Sequence, residues 1–300
     1  MGLKRVLVTG GCGYVGAWLV PHLLAEGYIV AVHDPEHFGN GALPDNDNLL
    51  RRIEGLYDAM IILGGITQNE ACEADPELAR IENVEKLKHL PQADRVIYAS
   101  SLAAYGSTEQ PAVETDPLRP TTLYGKMKAA AEQVIQKLYP HATIVRSASV
   151  CGYSPNMRFD TPVNAMALSA LRHGVINVAG GDQLRTHIHI KDLTDFYKLL
   201  LTSDVEGQTF NVLGSSERII DTAATVSAIC NNAIINIGPR TDDRSYAASM
   251  QKAATFTFTP DWRGFKPKYG VADAVRDIQA RIGNHWPDAE TNPKYRRLFA

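Results

Sequence analysis

The sequence predicts an α/β fold in which helices cover both faces of a parallel sheet. Short apolar runs rich in β-branched residues alternate with segments of helical spacing over residues 1–150. Glycines stand directly between the first such run and the first helical segment. Alternation of this kind is typical of doubly wound, Rossmann-like sheets. With 300 residues, the chain has room for that sheet and for a second, smaller unit.

The N-terminal segment contains one strand–helix–strand unit. The run RVLVT, residues 5–9, is apolar and precedes glycines, which predicts a buried parallel strand. The segment GYVGAWLVPHLLAEG then repeats apolar residues at helical spacing, and YIVAVHD predicts a second strand that ends at Asp34. This unit predicts that the N-terminus starts a parallel sheet.

Further segments extend the pattern along the chain. DAMIILGG, DRVIYASS and ATIVRSAS predict strands, and RTHIHI predicts a strand followed by the helix LTDFYKLLL. After residue 150 the pattern changes to the turn-rich CGYSPNMRFDTP and the helical VNAMALSALRHG. We therefore expect residues 1–150 to form the sheet domain, with residues 185–212 returning to it. Residues 151–300 are expected to form a smaller, partly discontinuous α/β region.

Composition and charge argue against several classes of function. A net charge of −3 and a pI of about 6.3, without a lysine–arginine block, argue against nucleic acid as a partner. No apolar run approaches the ~20 residues of a membrane-spanning helix. Four scattered cysteines without a CxxC pair favour reduced thiols in a cytoplasmic protein over a disulfide or zinc framework. His187 and His189 share a strand face without a carboxylate or cysteine cluster, so no metal site is predicted.

The glycine spacing after the first strand predicts a dinucleotide site. The motif TGGCGYVG places Gly10, Gly13 and Gly16 directly between the first strand and the first helix. Glycines let the backbone approach a pyrophosphate, and the helix N-terminus offers free N–H donors. Asp34, at the end of the second strand, can accept hydrogen bonds from an adenosine ribose, which predicts NAD rather than NADP. The alternative interpretation is a tight turn followed by a strand-end aspartate.

A tyrosine and a lysine lie one helical turn apart in TTLYGKMKAAAEQ. Tyr124 and Lys128 share one face of an alanine-rich helix. A nearby ammonium favours the phenolate, so that the tyrosine can transfer protons. Taken alone, this spacing is common by chance and favours an ordinary solvated helix face. The glycine motif, together with Ser101 upstream, favours the catalytic interpretation.

Together these motifs resemble the extended short-chain dehydrogenase/reductase family, and within it the NAD-dependent epimerases and dehydratases of nucleotide sugars. The resemblance rests on GxxGxxG, on Tyr-x-x-x-Lys and on YASSLAAYG, in which a serine stands four residues before Tyr-Gly. It implies an NAD-binding Rossmann domain over residues 1–150, a substrate-binding region over residues 151–300 and a homodimer formed through the Tyr124 helix. It also implies a catalytic set of Ser101, Tyr124 and Lys128. The implied cofactor contacts are Gly10, Gly13, Tyr14, Val15, Gly16, Asp34, Gly64, Tyr124 and Lys128.

The resemblance is looser in the second half of the chain. GGDQLRTHIHIKDL is similar to the family segment whose arginine contacts the nucleotide diphosphate, and RTDDRSY resembles a later nucleotide contact. The implied substrate contacts are Ser149, Asn164, Arg185, Arg240 and Asp243. The chain departs from the family pattern at Ser149, where many members carry an asparagine. It departs again in ILGGIT, which lacks the histidine of the family's His-x-Ala-Ala.

Three functions agree with these residues. The first is a nucleotide-sugar epimerase that oxidises C4, lets the keto-sugar rotate and returns the hydride to its other face. The second is an NAD(P)-dependent nucleotide-sugar dehydrogenase or 4-ketoreductase, which uses the same residues. A non-catalytic, dinucleotide-sensing regulator ranks last, because the chain keeps the Tyr–Lys pair. We expect no 4,6-dehydration, because Leu102 and Ala103 stand where the resembling dehydratases carry an Asp–Glu pair.

Overall fold

A computed structural model describes residues 4–34, 43, 49–50, 55–108, 110–241, 245 and 247–282. Its strands are β1 (Arg5–Thr9), β2 (Ile29–His33), β3 (Leu49–Leu50), β4 (Tyr57–Ile62), β5 (Ala93–Ser101), β6 (Thr143–Ser147), β7 (Ser149–Cys151), β8 (Val175–Ala179), β9 (Leu184–His189), β10 (Thr209–Val212), β11 (Ser215–Arg218), β12 (Ile234–Gly238), β13 (Thr257–Thr259) and β14 (Trp262–Arg263). Its α-helices are α1 (Tyr14–Ala25), α2 (Asn69–Ala74), α3 (Pro76–Asn83), α4 (Leu123–Leu138), α5 (Pro162–His173), α6 (Ile190–Thr202), α7 (Ile219–Ile229), α8 (Gln251–Thr255) and α9 (Val271–Ile282). Short 3-10 helices lie at Glu85–His89 and Leu102–Tyr105.

Seven parallel strands form the central sheet in the order β10-β6-β5-β4-β1-β2-β3. The strand order reverses beside β1, as it does in doubly wound nucleotide-binding sheets. Within β1, Val6 and Val8 face one side and Leu7 faces the other, and all three are buried. Because helices cover both faces of this strand, an unbroken apolar run is required. The predicted Rossmann-like α/β fold is confirmed.

Two apolar clusters hold the helices on the central sheet. On one face, Leu19 and Leu23 of α1 and Phe196 of α6 join the valines of β1 and β2. On the other face, Ala131 and Ile135 of α4 meet the alternate residues of the same strands. In chain order α1 comes directly after β1 and α4 comes after β5. Both helices therefore start at the carboxyl edge of the sheet, where ligands bind in this class of fold.

The chain returns from its C-terminal half to the central sheet through α6 and β10. β10 pairs with β6 in parallel register, whereas β9 pairs with β7 and β11 in a separate three-stranded sheet. Residues 185–212, predicted to return as one segment, are thus divided between the two sheets. The segment ATIVRSAS is divided in the same way, because the chain leaves the central sheet at Ala148 and continues as β7.

The smaller region is built from α5, α7 and α9 and the two-stranded parallel sheet β8–β12. Val163, Val226 and Ile278 bring the three helices together in a buried apolar cluster. β8 lies in the segment VINVAGGDQL, and α9 lies in the segment KPKYGVADAVRDIQARI. The tail after Ile282 lies outside the described residues. Among the helices that the structure describes, none is long and apolar enough to cross a membrane.

Candidate active site

A cavity of about 1480 Å³ lies along the carboxyl edge of the central sheet. The glycine motif, the ends of β2, β4 and β5 and the start of α4 line one side of it. The segment that follows β7, together with α5, β8 and β9, supplies further lining. The predicted site residues that line this cavity are Gly10, Gly13, Tyr14, Val15, Gly16, Asp34, Gly64, Ser101, Tyr124, Lys128, Ser149 and Arg185.

The glycine motif forms a turn that has no room for side chains. Gly10 has a φ of +66°, and a Cβ there would lie 2.7 Å from the Cα of Gly64. A Cβ on Gly16 would lie 2.5 Å from the carbonyl oxygen of Gly10. α1 therefore packs closely against the end of β1, and its N-cap, Gly13, offers no side-chain oxygen to its first N–H groups. Those groups are left for an anionic ligand such as a pyrophosphate.

Asp34 is a buried carboxylate directly after β2. It is 8% exposed, and its Oδ2 accepts a hydrogen bond of 3.0 Å from the N–H of Cys12. This bond holds the carboxylate against the glycine motif at the cavity wall. A carboxylate there can accept hydrogen bonds from ribose hydroxyls and repels a 2′-phosphate. The side-chain-free turn at Gly10 and Gly16 and the carboxylate of Asp34 thus fit a dinucleotide of the NAD type.

Lys128 is a buried ammonium group on α4. Its side chain reaches the end of β5, where Nζ donates a hydrogen bond of 2.7 Å to the carbonyl oxygen of Ala99. Nζ also lies 5.9 Å from the ring centroid of Tyr124 and 5.0 Å from that of Tyr98. Burial lowers the pKa of Lys128 to about 8, and the carboxylate of Glu132 opposes that shift. The lysine thus places a positive charge beside the phenol of Tyr124 near neutral pH.

Tyr124 and Ser101 come together because α4 packs tightly on the 3-10 helix after β5. Thr122 caps α4 by accepting a hydrogen bond of 3.1 Å from the N–H of Gly125. A Cβ on Gly125 would lie 2.5 Å from the carbonyl oxygen of Ala103, so only glycine allows this approach. Ser101 Oγ accepts a 3.2 Å hydrogen bond from the N–H of Ala103. Its own hydroxyl proton therefore remains available to a ligand.

A buried ion pair fixes α4 behind Tyr124 and Lys128, and sequence reasoning missed it. Glu132, one turn after Lys128, binds Arg146 of β6 with Nη2 2.7 Å from Oε2. Ser100 Oγ donates a hydrogen bond of 2.5 Å to Glu132, and Arg146 donates one of 2.7 Å to the hydroxyl of Tyr105. These contacts tie α4 to β5 and β6. The spacing of Glu132 from Lys128 on one helix face was the available sequence signal.

Ser149 and Arg185 of the implied substrate contacts line the cavity. Ser149 starts β7, and Arg185 lies on the neighbouring β9 with its Nη1 3.2 Å from the carbonyl oxygen of Leu184. Burial, with the charge of Arg185, lowers the pKa of His187 to about 4, so this imidazole is neutral at neutral pH. Over the described part of the chain, no group of three or more His, Cys, Asp or Glu side chains is placed to hold a metal ion.

The remaining implied substrate contacts are Asn164, Arg240 and Asp243. Asn164 is fully buried and is not part of the cavity lining. Its Oδ1 accepts a hydrogen bond from the N–H of Gly152, and its Nδ2 donates to the hydroxyl of Tyr14, so its amide joins protein segments. Arg240 is exposed and lies outside the cavity lining, and Asp243 lies outside the described residues.

Two charged cavity residues were missed by sequence reasoning. Arg158 and Asp160 follow β7 in the turn-rich stretch CGYSPNMRFDTP. Arg158 donates two hydrogen bonds of 2.6 Å to the carboxylate of Asp160, from Nε and from Nη2. Nη2 also donates a 3.1 Å bond to the carbonyl oxygen of Thr67. The sequence signal for this pair was the spacing of an arginine and an aspartate two positions apart among turn residues.

The segment that carries Arg158 is attached to the glycine motif. The hydroxyl of Tyr14 donates a 2.6 Å hydrogen bond to the carbonyl oxygen of Gly152, and burial raises the pKa of this phenol. Ser154 Oγ donates a 2.6 Å bond to the carbonyl oxygen of Tyr14, and Asn156 Nδ2 donates a 2.7 Å bond to that of Cys12. The two sides of the cavity are therefore joined by hydrogen bonds.

Comparison with known proteins identifies the family. The sequence pattern of the NAD-dependent epimerase/dehydratase family matches residues 6–212. The chain belongs to the NAD-dependent epimerase/dehydratase family. The match runs from β1 to the end of β10, so it includes the glycine motif, Ser101, Tyr124 and Lys128. The resemblance inferred from the sequence motifs is confirmed, and the expected cofactor agrees with the NAD dependence of the family.

Curated relatives extend the likeness over nearly the whole chain. A bifunctional UDP-glucose 4-epimerase and UDP-xylose 4-epimerase of Pisum sativum is 26% identical over 97% of this chain and 97% of its own length. A UDP-glucose 4-epimerase of Halalkalibacterium halodurans is 27% identical over 88% of this chain and 91% of its own.

Solved structures share the fold at lower identity. UDP-glucuronic acid 4-epimerase from Bacillus cereus, in complex with UDP-glucuronic acid and NAD, has a TM-score of 0.78 at 19% identity and covers 98% of this chain and 100% of its own. The dTDP-glucose 4,6-dehydratase DesIV from Streptomyces venezuelae, with NAD bound, also has a TM-score of 0.78 at 19% identity, over 93% and 98% of the two chains. Because an epimerase and a dehydratase match equally well, the fold does not separate these two activities.

Proposed function

We propose that the protein is an NAD-dependent nucleotide-sugar epimerase that acts at C4 through a transient keto-sugar. The observation that carries this proposal is a single cavity lined by the glycine motif, by Ser101, Tyr124 and Lys128, and by Arg185. Such a cavity offers room for a dinucleotide and a second phosphate-bearing ligand near one proton-transfer residue. The UDP-sugar 4-epimerases among the relatives support UDP as the nucleotide.

The catalytic residues suit a reversible proton transfer at a sugar hydroxyl. Tyr124 accepts the proton of the C4 hydroxyl as the carbonyl forms and returns it when the alcohol is restored. The positive charge of Lys128, with Nζ 5.9 Å from the phenol ring centroid, stabilises the phenolate. Ser101 donates its free hydroxyl proton to the sugar oxygen and holds it beside Tyr124. Asp34 and the glycine motif would hold NAD, which would supply reversible hydride transfer at C4.

Removal of water from C5 and C6 requires an acid and a base, and the residues after Ser101 supply neither. Leu102 is 1% exposed and apolar, and Ala103 carries only a methyl group. Glu114 lies outside the cavity lining and accepts a hydrogen bond from the backbone N–H of Asn211, and Asp160 is bound by Arg158. These observations favour epimerisation over dehydration.

Conversion of UDP-glucose deuterated at C4 tests the proposal. We expect a C4 epimer of unchanged mass that retains the deuterium, measured by chromatography and mass spectrometry with NAD present in catalytic amount. Tyr124→Phe is the matched control, because it removes only the phenolic oxygen. A product three mass units lighter, from loss of the C4 deuterium and of the hydroxyl proton, with stoichiometric use of NAD(P), would favour the dehydrogenase or ketoreductase alternative. A product lighter by one water would contradict the exclusion of dehydration.

We further propose a cytoplasmic homodimer that pairs through α4. This helix carries Met127, Ala130 and Val134, which are partly buried against the core of the sheet, and Leu138, which is 38% exposed. The four free, buried cysteines suit a reducing compartment. Light scattering of the purified protein tests the pairing. We expect twice the mass of one chain, and a single-chain mass for Leu138→Glu.

A further inference from the structure

Glu132 is a buried carboxylate that the proposed chemistry does not use. It is 2% exposed, lies outside the cavity lining and stands one helical turn after Lys128. Arg146 of β6 pairs with it, with Nη2 2.7 Å from Oε2 and Nε 3.0 Å from Oε1. Well-packed apolar residues often replace a buried ion pair of this kind without loss of stability. Stability alone therefore does not explain why a negative charge lies here.

The carboxylate of Glu132 and the ammonium of Lys128 bind consecutive residues of β5. Lys128 Nζ donates a hydrogen bond of 2.7 Å to the carbonyl oxygen of Ala99, and Ser100 Oγ donates one of 2.5 Å to Oε1 of Glu132. Both side chains are almost fully buried, so little water screens the two charges from each other. The charges thus lie side by side on the strand that ends at Ser101.

Lys128 has no direct counter-ion, since no carboxylate in the described part of the chain lies within ion-pair distance of its Nζ. The groups that face it from the surrounding elements are Tyr124 and Glu132 on α4, Tyr98 on β5, Cys72 on α2 and Arg158 after β7. Burial raises the pKa of Cys72 and that of Tyr98, so both groups are neutral near neutral pH. Until Tyr124 ionises, Glu132 is the negative charge among these groups that opposes the penalty of burying the ammonium.

Arg146 keeps this carboxylate in one place. Besides binding Glu132, its guanidinium donates a hydrogen bond of 2.7 Å to the hydroxyl of Tyr105 and one of 3.1 Å to the carbonyl oxygen of Glu114. The guanidinium is therefore fixed by three separate segments of the chain, and it fixes the carboxylate in turn. The negative charge is thus held at a constant distance from Lys128.

We infer that Glu132 is a positioning residue that keeps Lys128 protonated while Tyr124 carries the proton of the sugar hydroxyl. Glu132 does not line the cavity, so it acts through Lys128. The inference rests on the proposed function, since there the charge of Lys128 stabilises the phenolate.

NMR titration of the lysine side chains, isotope-labelled at Cε, tests the charge directly. The signal that is missing from Lys128→Met identifies Lys128. In Glu132→Gln, which keeps the shape of the side chain and removes its charge, we expect the midpoint of the Lys128 titration to move to lower pH by about one pH unit. The alkaline limb of the pH profile of kcat for a UDP-sugar should move with it.

Arg146→Met is the matched control, because it breaks the same ion pair and keeps the carboxylate. In this variant the midpoint should stay unchanged or move to higher pH. Glu132→Gln leaves Arg146 buried without its partner and can unfold the protein, so the double variant Glu132→Gln, Arg146→Met is measured as well. The double variant leaves neither charge unpaired and should titrate like Glu132→Gln.

Two results would overturn the inference. One is an unchanged midpoint in the folded variants that lack the carboxylate. The other is an equal fall of the midpoint in Arg146→Met, which would reduce the ion pair to a structural role. A lower midpoint without any movement of the alkaline limb of kcat would contradict the role that the proposed function gives to Lys128, and the effect of Glu132 on its charge would stand.

Discussion

The two sides of the cavity are built in different ways. On the sheet side, Gly10 and Asp34 directly follow β1 and β2, and Ser101 is the last residue of β5. The parallel register of the central sheet sets the positions of these three residues. On the opposite side, Arg158 and Asp160 lie in a turn-rich segment, where they bind each other and Arg158 also binds the distant Thr67. Positions at strand ends suit the catalytic step, which is the same for every substrate. Positions in a loop suit substrate recognition, which can differ from one substrate to another.

Substitution on the sheet side should have the largest effect. We expect Tyr124→Phe to lower kcat by about 10²- to 10⁴-fold, because the phenolic oxygen is the proposed proton carrier. Folding and NAD binding should be almost unchanged, as measured by urea denaturation and calorimetry. Near-normal turnover of UDP-sugars by this variant would show that Tyr124 is not the proton carrier. The sheet side of the cavity would then have no established catalytic role.

A pH-dependent stability should be the next largest effect. The pKa of Lys128 is lowered from 10.5 to about 8 in the folded protein, so between these values the unfolded chain binds more protons than the folded one. The free energy of unfolding contributed by Lys128 should therefore rise with pH across this window, by about 3 kcal/mol in total. Urea denaturation of the wild type and of Lys128→Met, compared at each pH, isolates this contribution. A constant difference between the two proteins would show that the lysine is not desolvated.

The preference for NAD over NADP should be the third largest effect. The buried carboxylate of Asp34 should oppose the 2′-phosphate, so that NAD binds about 100-fold more tightly in calorimetric titration. Asp34→Asn should narrow this ratio while keeping the shape of the side chain. Tighter binding of NADP by the wild type would mean that Asp34 does not contact the ribose.

The smallest effects should come from a pair of arginines on the substrate side. Arg185→Ala should weaken UDP-sugar binding about tenfold or more and leave NAD binding unchanged, because a buried guanidinium in the cavity can bind a diphosphate. Arg240→Ala should change either affinity by no more than about twofold, since Arg240 is exposed and outside the cavity lining. An equal loss for both ligands in Arg185→Ala would instead indicate a structural role for this residue.

The same difference in construction explains how much the sequence could predict. Strand runs, the glycine motif and the Tyr124–Lys128 spacing are local patterns, and they predicted the fold and a set of residues that share one cavity. The amide of Asn164 accepts a hydrogen bond from the N–H of Gly152, and no local sequence pattern indicates this contact. The pairing of Arg158 with Thr67 joins segments distant in the chain, so it exists only after folding.

The hydrogen bonds between the two sides of the cavity couple its two ends. The hydrogen bonds from Tyr14, Ser154 and Asn156 fasten the glycine motif to the segment that carries Arg158. A dinucleotide that binds the glycine motif therefore contacts a motif that is already joined to the segment beside the sugar. Any displacement of the motif on binding would move this segment with it, so a ligand at one end of the cavity should change the affinity at the other end.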